Sequence, residues 1–111
     1  MAMRVPVSDG SLTDLVCVLE REVTVDDVDE AFQNVAGNGD WAGILQYTDD
    51  PIVSSDIVGN SNSCIIDGLS TMANGNLVKV FSWYDNEWGY SCRLVDLVAK
   101  IGQTLPAAVA A

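Results

Sequence analysis

Histidine is absent from this 111-residue sequence. Its absence excludes from the chain every mechanism that needs an imidazole: a Ser-His-Asp triad, a Cys-His pair or a histidine-ligated metal. Basic residues are also scarce, since five Lys and Arg stand against sixteen Asp and Glu, for a formal net charge of -11. A phosphate-binding surface needs clustered cations, so we expect neither nucleic acid nor an anionic membrane as a partner.

Cysteine is sparse, and long apolar runs are missing. Cys17, Cys64 and Cys92 are odd in number, widely spaced and without a C-x-x-C motif, so we expect buried reduced thiols rather than a disulfide scaffold or a zinc site. No apolar run approaches the ~20 residues of a membrane span, and the first residues lack a signal-peptide stretch. The sequence therefore predicts a soluble, cytoplasmic protein.

The composition that remains is globular. Hydrophobic residues make up 49% of the chain and charged residues 19%, and a chain of this length can bury roughly two-thirds of its unfolded surface. This indicates one domain or a piece of one. The acidic residues are interpreted as solvated surface charge, with adaptation to high salt as the alternative.

The first half predicts a strand followed by a helix. An apolar run within residues 12–20 is typical of a strand that is covered on both faces. Thr24 is a predicted helix N-cap with Asp27 at the third helical position, and Gly37 can end the helix. The polar side of this helix is expected to face solvent and its apolar side a sheet.

The second half predicts several short strands and a closing helix. Residues 43–48 and 64–69 indicate strands, residues 52–59 alternate in polarity, and Asn74-Gly75 between two β-prone runs is a strong hairpin signal. The run that follows the hairpin, 77–84, is apolar on both faces and should be a central strand.

The last helix should begin at about Asp85 or Asn86 and end at Gly102. Its apolar stripe covers more than half of its circumference, and such a helix needs cover on two sides. A domain of this size can cover only one side, which indicates that the chain belongs to something larger.

Three segments resemble phosphorylating glyceraldehyde-3-phosphate dehydrogenases. VKVFSWYDNEWGYSCRLVDL, residues 78–97, resembles the C-terminal signature of that family, AMRVPVSDGSLTDL resembles its A-x-RVP strand, and YTDDPIVSSDIVGN from Tyr47 resembles its Y-T-x-D-P-V-V-S-S-D stretch. The order and spacing of the three agree with the family. The resemblance implies the last third of the enzyme.

Other parts of the family pattern are missing. The sequence has no G-x-G-x-x-G dinucleotide fingerprint, no S-C-T-T-N nucleophile motif and no histidine base. None of the three cysteines matches the nucleophile motif, and Cys92 stands where the family commonly has Asn. The chain alone is therefore expected to be inactive, and no catalytic residue is predicted in it.

The resemblance implies roles for three residues. Arg4 matches the arginine that contacts the substrate phosphate, although a surface arginine paired with an acid is the alternative. Asn86 matches the asparagine that hydrogen-bonds the nicotinamide carboxamide, with helix capping as the alternative. Tyr90 lies one helical turn later and would pack near the nicotinamide, or serve as an amphipathic core tyrosine.

Neighbouring acidic and hydroxyl residues receive structural interpretations. Glu87 and Asp85 are expected to stabilise the start of the last helix rather than act as general bases. Ser54, Ser55 and Asp56 resemble a catalytic cluster, but without a histidine nothing activates them. They are interpreted as a packing and interface element.

The predicted fold is α+β, a mostly antiparallel sheet with two helices, forming a partial catalytic domain over residues 1–105. That domain includes the closing helix 86–102, and residues 106–111 form a frayed tail. The implied activity is conversion of glyceraldehyde 3-phosphate, NAD and phosphate to 1,3-bisphosphoglycerate and NADH in glycolysis, by a cytoplasmic homotetramer. The alternatives are a non-catalytic oligomerisation fragment and a piece of a longer coding sequence.

Overall fold

The computed structural model of the chain describes residues 1–105. It contains the predicted two helices and a five-stranded sheet. In chain order these elements are β1 (Ser11–Val18), α1 (Val25–Val35), β2 (Leu45–Thr48), β3 (Cys64–Asp67), β4 (Met72–Asn74), β5 (Leu77–Tyr84) and α2 (Trp88–Thr104). The tail predicted at residues 106–111 lies outside the described residues.

The sheet is built around β5, which confirms the central position predicted for this strand. β1 runs antiparallel along one edge of β5, while β3 and β4 pair antiparallel with successive parts of the other edge. β2 is the outermost strand beyond β3. The β2–β3 pair is parallel, so the sheet is mixed rather than purely antiparallel. A parallel pair needs a crossover instead of a hairpin, and the chain between Thr48 and Cys64 supplies it.

Helix α1 begins where the sequence predicts. The Thr24 hydroxyl accepts a hydrogen bond from the backbone N–H of Asp27 at 3.1 Å, and the Asp27 carboxylate accepts one from the N–H of Thr24 at 2.8 Å. This reciprocal pair is a capping box, which satisfies two of the N–H groups that a helix start leaves without partners. The Thr24 hydrogen bonds also hold the pKa of Asp27 below its usual value.

The predicted hairpin is present, with its loop one residue further along the chain. Asn74 is paired with Leu77, so the two loop residues are Gly75 and Asn76. Gly75 has a φ of 61°, which is the left-handed region that a two-residue hairpin requires at its first loop position. The glycine thus decides where the chain reverses.

Residues 52–59, whose polarity alternates, contain no strand, because Asp56 accepts a hydrogen bond from the N–H of Val53 at 2.8 Å and closes a 3₁₀ turn over Ser54–Asp56. One prediction is wrong in detail. β1 is a strand, but it is not covered on both faces. It is an edge strand in which Val16 and Val18 remain 56% and 74% exposed.

The core lies between α1 and one face of the sheet. Its buried side chains are apolar and come from α1, β2, β3 and β5: Val28, Leu45, Ile66, Val78 and Val80. Burying a side chain of this size contributes about 1.5–3 kcal/mol. This small core fixes α1 against the sheet and leaves α2 outside it.

Helix α2 adds little to that core. It starts at Trp88 and continues through Gly102 to Thr104, so it is displaced by two residues from the predicted 86–102. Gly89 is its only buried residue. The chain has a radius of gyration of 17.4 Å, whereas a compact domain of this length has one of about 13 Å. None of the helices within residues 1–105 is both long and apolar enough to span a bilayer.

Candidate functional site

Asn86 stands where the end of β5 meets the start of β1. Its side-chain Oδ1 accepts hydrogen bonds from the backbone N–H of Gly10 at 3.1 Å and from the Ser11 hydroxyl at 3.0 Å, and its Nδ2 lies 2.7 Å from the Ser11 Oγ. Ser11 is paired with Tyr84 at the ends of β1 and β5, which brings these residues together across more than seventy positions of sequence. The carboxamide is therefore held by the sheet.

The capping role that was the alternative for Asn86 is taken by its neighbour, Asp85. The buried Asp85 carboxylate accepts hydrogen bonds from the backbone N–H groups of Trp88 at 2.7 Å, Gly59 at 2.9 Å and Glu87 at 3.0 Å. Because these bonds stabilise the charged form, with Gly59 the largest contributor, the pKa of Asp85 is held below its ordinary value. The expectation that Asp85 stabilises the start of α2 is confirmed, and a carboxylate so engaged is a poor general base.

The side chain of Glu87 lies beside this cap and takes no part in it, although its backbone N–H does. Carboxylate oxygens of Asp9, Asp85 and Glu87 lie within 4.8 Å of one another. The Glu87 side chain is exposed and makes no hydrogen bond within residues 1–105. A negative charge near the first turn of a helix interacts favourably with the helix dipole. No donor is hydrogen-bonded to the Glu87 carboxylate within residues 1–105, so this arrangement does not mark Glu87 as a general base.

Tyr90 and Arg4 are both exposed. Tyr90 lies in the first turn of α2, four residues beyond Asn86 in sequence, with 66% of its surface accessible. Arg4 lies in the segment that leads into β1, and no hydrogen bond or ion pair within residues 1–105 involves it. The structure thus brings Asn86 to Ser11, places Tyr90 nearby along α2, and leaves the guanidinium of Arg4 open to a ligand.

The serine cluster does not form a catalytic arrangement. Ser54 and Ser55 lie in the 3₁₀ turn, and Asp56 uses its carboxylate to bond the backbone N–H of Val53. No hydrogen bond within the described part of the chain joins either serine hydroxyl to a base. Its interpretation as an interface element stays a prediction.

All three cysteines are free thiols of intermediate burial. Desolvation raises the pKa of Cys64, although a hydrogen bond with Ser82 acts in the opposite direction. A catalytic cysteine needs a lowered pKa, because the thiolate is the nucleophile. The raised pKa of Cys64 is the opposite of this, and the three thiols are less buried than the sequence predicted.

An apolar groove lies at the other end of β1. It has a volume of about 670 Å³ and runs between α1 and the strands β1 and β5. Its walls include Leu15, Cys17, Phe32 and Val80. The groove is open because nothing within residues 1–105 covers β1 on this side, and Asn86 is not among the residues that line it.

Ser11 and Gly10 were missed as site residues from sequence. Each is an ordinary residue near a predicted strand, and no local pattern links either one to Asn86. Only the register of β1 against β5 makes the connection.

Comparison with known proteins identifies the family. A family model described as glyceraldehyde 3-phosphate dehydrogenase, C-terminal domain, matches residues 1–86. The chain is 58% identical over 106 residues to a glyceraldehyde-3-phosphate dehydrogenase of Streptomyces coelicolor, covering 95% of this chain and 32% of that enzyme. It is 57% identical over 101 residues to the one from Priestia megaterium, covering 90% of this chain and 30% of the relative.

The chain spans about a third of the length of the curated relatives it matches. A third comparison, with glyceraldehyde-3-phosphate dehydrogenase 2 of Bacillus subtilis, gives 48% identity over 98% of this chain and 33% of that enzyme. The family match and these identities cover the strands, α1 and the junction that holds Asn86. The chain therefore belongs to the glyceraldehyde-3-phosphate dehydrogenase family, as part of its C-terminal domain.

Proposed function

We propose that this chain forms part of the catalytic domain of an NAD-dependent glyceraldehyde-3-phosphate dehydrogenase. The reaction converts glyceraldehyde 3-phosphate, NAD and phosphate to 1,3-bisphosphoglycerate and NADH in glycolysis, in a cytoplasmic homotetramer. The family match over residues 1–86 carries this proposal. The partial domain is residues 1–105, with α2 as its closing helix.

Arg4 is the proposed contact for the substrate phosphate. Its guanidinium has a planar fork of donors that suits phosphate oxygens. The side chain is exposed, and no acid within residues 1–105 neutralises it. A cation left unpaired in a chain with a net charge of -11 is available to an anionic substrate.

Asn86 and Tyr90 are the proposed contacts for the nicotinamide end of NAD. The Asn86 carboxamide has both donor and acceptor groups and is held by Gly10 and Ser11, so it can present a fixed pattern to an amide ligand. Tyr90 lies one turn along α2 with its ring exposed. The remaining contacts to the dinucleotide would come from a separate dinucleotide-binding domain.

The isolated chain should not turn over. Catalysis in this family needs a thiolate that attacks the aldehyde carbon, a base that takes the proton, and a nicotinamide that accepts the hydride. The sequence contains no histidine, and burial raises rather than lowers the pKa of Cys64. With most of the dinucleotide contacts missing, NAD should bind with a dissociation constant weaker than about 1 mM.

The alternative function is non-catalytic association. Exposed apolar side chains line β1 and α2, including Val18, Val95 and Val98. A surface of this kind supports contact with full-length subunits or with another copy of the chain. The catalytic proposal requires that the chain support enzyme activity when the rest of the enzyme is present, whereas non-catalytic association does not. One experiment distinguishes the two.

A chimera tests the proposed function. This chain would replace the aligned third of the Streptomyces coelicolor enzyme, and NADH production would be measured beside the isolated chain. We expect NADH production by the chimera and none by the isolated chain. In the chimera, Arg4→Ala should raise the KM for glyceraldehyde 3-phosphate, and Asn86→Ala should raise the KM for NAD. A folded tetrameric chimera without activity would contradict the catalytic proposal and favour the association fragment.

A further inference from the structure

The Asn86 carboxamide has one orientation that its surroundings permit. The backbone N–H of Gly10 can only donate a hydrogen bond, and it points at one polar atom of this carboxamide at 3.1 Å. If that atom were Nδ2, two donors would face each other, so it must be Oδ1. The Gly10 N–H also contacts the Asp9 carboxylate at 2.6 Å, which fixes this N–H in place.

Ser11 completes the arrangement. Its hydroxyl lies 3.0 Å from Oδ1 and 2.7 Å from Nδ2 of Asn86, so it can accept from Nδ2 while Gly10 occupies Oδ1. An amide nitrogen carries two hydrogens. One of them is used by Ser11, and the second remains for a carbonyl oxygen of a ligand.

The backbone that carries Ser11 is rigid. Ser11 is paired with Tyr84 at the ends of two eight-residue strands that stay in register along their whole length. The Ser11 backbone is held by the pairing of β1 with β5, whereas Asn86 lies in the irregular junction between β5 and α2. The serine can therefore restrain the amide, and the reverse does not hold.

We propose that Ser11 is a positioning residue for the cofactor site, fixing the Asn86 carboxamide so that its Nδ2 faces a carbonyl acceptor such as that of nicotinamide. This inference rests on the proposed function. Ser11 acts through Asn86 and does not itself contact the ligand.

The first test uses the 111-residue chain alone and needs no cofactor. Hydrogen exchange of the Asn86 side-chain NH₂ protons is measured by NMR in Ser11→Thr and Ser11→Val variants, which have nearly the same shape but differ in the hydroxyl. We expect protection to persist in the threonine variant and to fall to that of a free carboxamide in the valine variant. Equal protection in both variants would overturn the positioning role.

The second test uses the chimera described above and reads the KM for NAD separately from that for glyceraldehyde 3-phosphate. Because Ser11→Val loses one hydrogen bond, we expect its KM for NAD to rise about fivefold and its KM for glyceraldehyde 3-phosphate to stay unchanged. Ser11→Thr keeps the hydroxyl and should restore the original KM for NAD. Ser70→Ala, which removes a hydroxyl that bonds Asp67 at 3.0 Å, is the matched control and should change neither constant.

The outcomes separate the two proposals. If Asn86→Ala raises the KM for NAD and Ser11→Val does not, Asn86 binds cofactor without help from Ser11, and only the positioning role is overturned. If neither variant changes it, Asn86 is not a cofactor residue, and the proposed function fails at this site. A folded but inactive chimera overturns the proposed function alone, and the hydrogen-exchange test then decides whether Ser11 fixes the Asn86 carboxamide.

Discussion

The carboxylate of Asp85 accepts a hydrogen bond from the backbone N–H of Gly59 across 2.9 Å, although 26 positions separate the two residues. The same carboxylate caps the start of α2 through the N–H of Trp88 at 2.7 Å. One buried side chain thus joins the loop before β3 to the beginning of the last helix. It is one of the contacts that attach α2 to the rest of the chain, beside the hydrogen bond from the Arg93 guanidinium to the backbone oxygen of Gly43.

Removing this carboxylate should weaken the fold. Asp85→Ala leaves the Gly59 and Trp88 N–H groups without their charged partner, and we expect the free energy of unfolding to fall by about 2–3 kcal/mol. Urea denaturation followed by tryptophan fluorescence would measure it. Glu87→Ala is the matched control, because that exposed side chain makes no hydrogen bond, and its effect should stay within about 0.5 kcal/mol. Equal effects of the two variants would contradict the capping role.

Stability should fall in acid through the same group. The hydrogen bonds from Gly59 and Trp88 lower the pKa of Asp85 in the folded state, so folding favours its charged form. The contribution is complete above the unfolded pKa of about 3.9 and is lost as the pH falls through the lower, folded pKa. As the pH is lowered from 5 through the folded pKa of Asp85, we expect the free energy of unfolding to fall less in Asp85→Asn than in the unaltered chain. Urea unfolding at a series of pH values would measure this. Parallel pH curves for both proteins would argue against this linkage.

Two glycines of α2 should respond in opposite ways to alanine. A Cβ at Gly89 would lie 2.7 Å from the backbone oxygen of Asn62, whereas a Cβ at Gly102 would meet nothing within 4 Å. We expect Gly89→Ala to destabilise the chain by about 1–3 kcal/mol, and Gly102→Ala to stabilise the helix by up to about 1 kcal/mol. Thermal unfolding of both variants gives the comparison, and a neutral Gly89→Ala would show that α2 does not pack on the loop at Asn62.

The exposed face of α2 should drive self-association that increases with salt. Val95 and Val98 are 68% and 69% exposed, while a net charge of -11 keeps copies apart at low ionic strength. Screening shortens the Debye length from about 30 Å at 0.01 M to about 3 Å at 1 M, so sedimentation should show more dimer or higher oligomer at the higher salt. The Val95→Gln, Val98→Gln double variant should associate less. A compact monomer at both salt concentrations would contradict the prediction.

Local features were predictable because their causes lie close together in sequence. The capping box needs only Thr24 and Asp27, three residues apart, and the hairpin needs only a glycine that tolerates a positive φ between two β-prone runs. The resemblance to the dehydrogenase family also rested on contiguous motifs, and it led to Arg4, Asn86 and Tyr90 without any structure.

The partial errors arose where apolar content was taken as a sign of cover. The second half of β1, residues 15–18, is apolar on both faces, yet the strand lies at the sheet edge. The residues of a strand do not by themselves determine which strands pair beside it. The alternating polarity of residues 52–59 did not indicate the turn that forms there, where the Asp56 carboxylate accepts a hydrogen bond from the N–H of Val53.

The sequence by itself determined the family, the absence of an imidazole, the start of α1 and the central strand β5. These follow from residue types and short spacings, in which each residue interacts with near neighbours. Only the tertiary structure decided that Ser11 meets Asn86, that Asp85 rather than Asn86 caps α2, and that β2 runs parallel to β3. These contacts join distant parts of the chain. They depend on the register of the strands, which is determined by all the strand pairs of the sheet together rather than by any one segment.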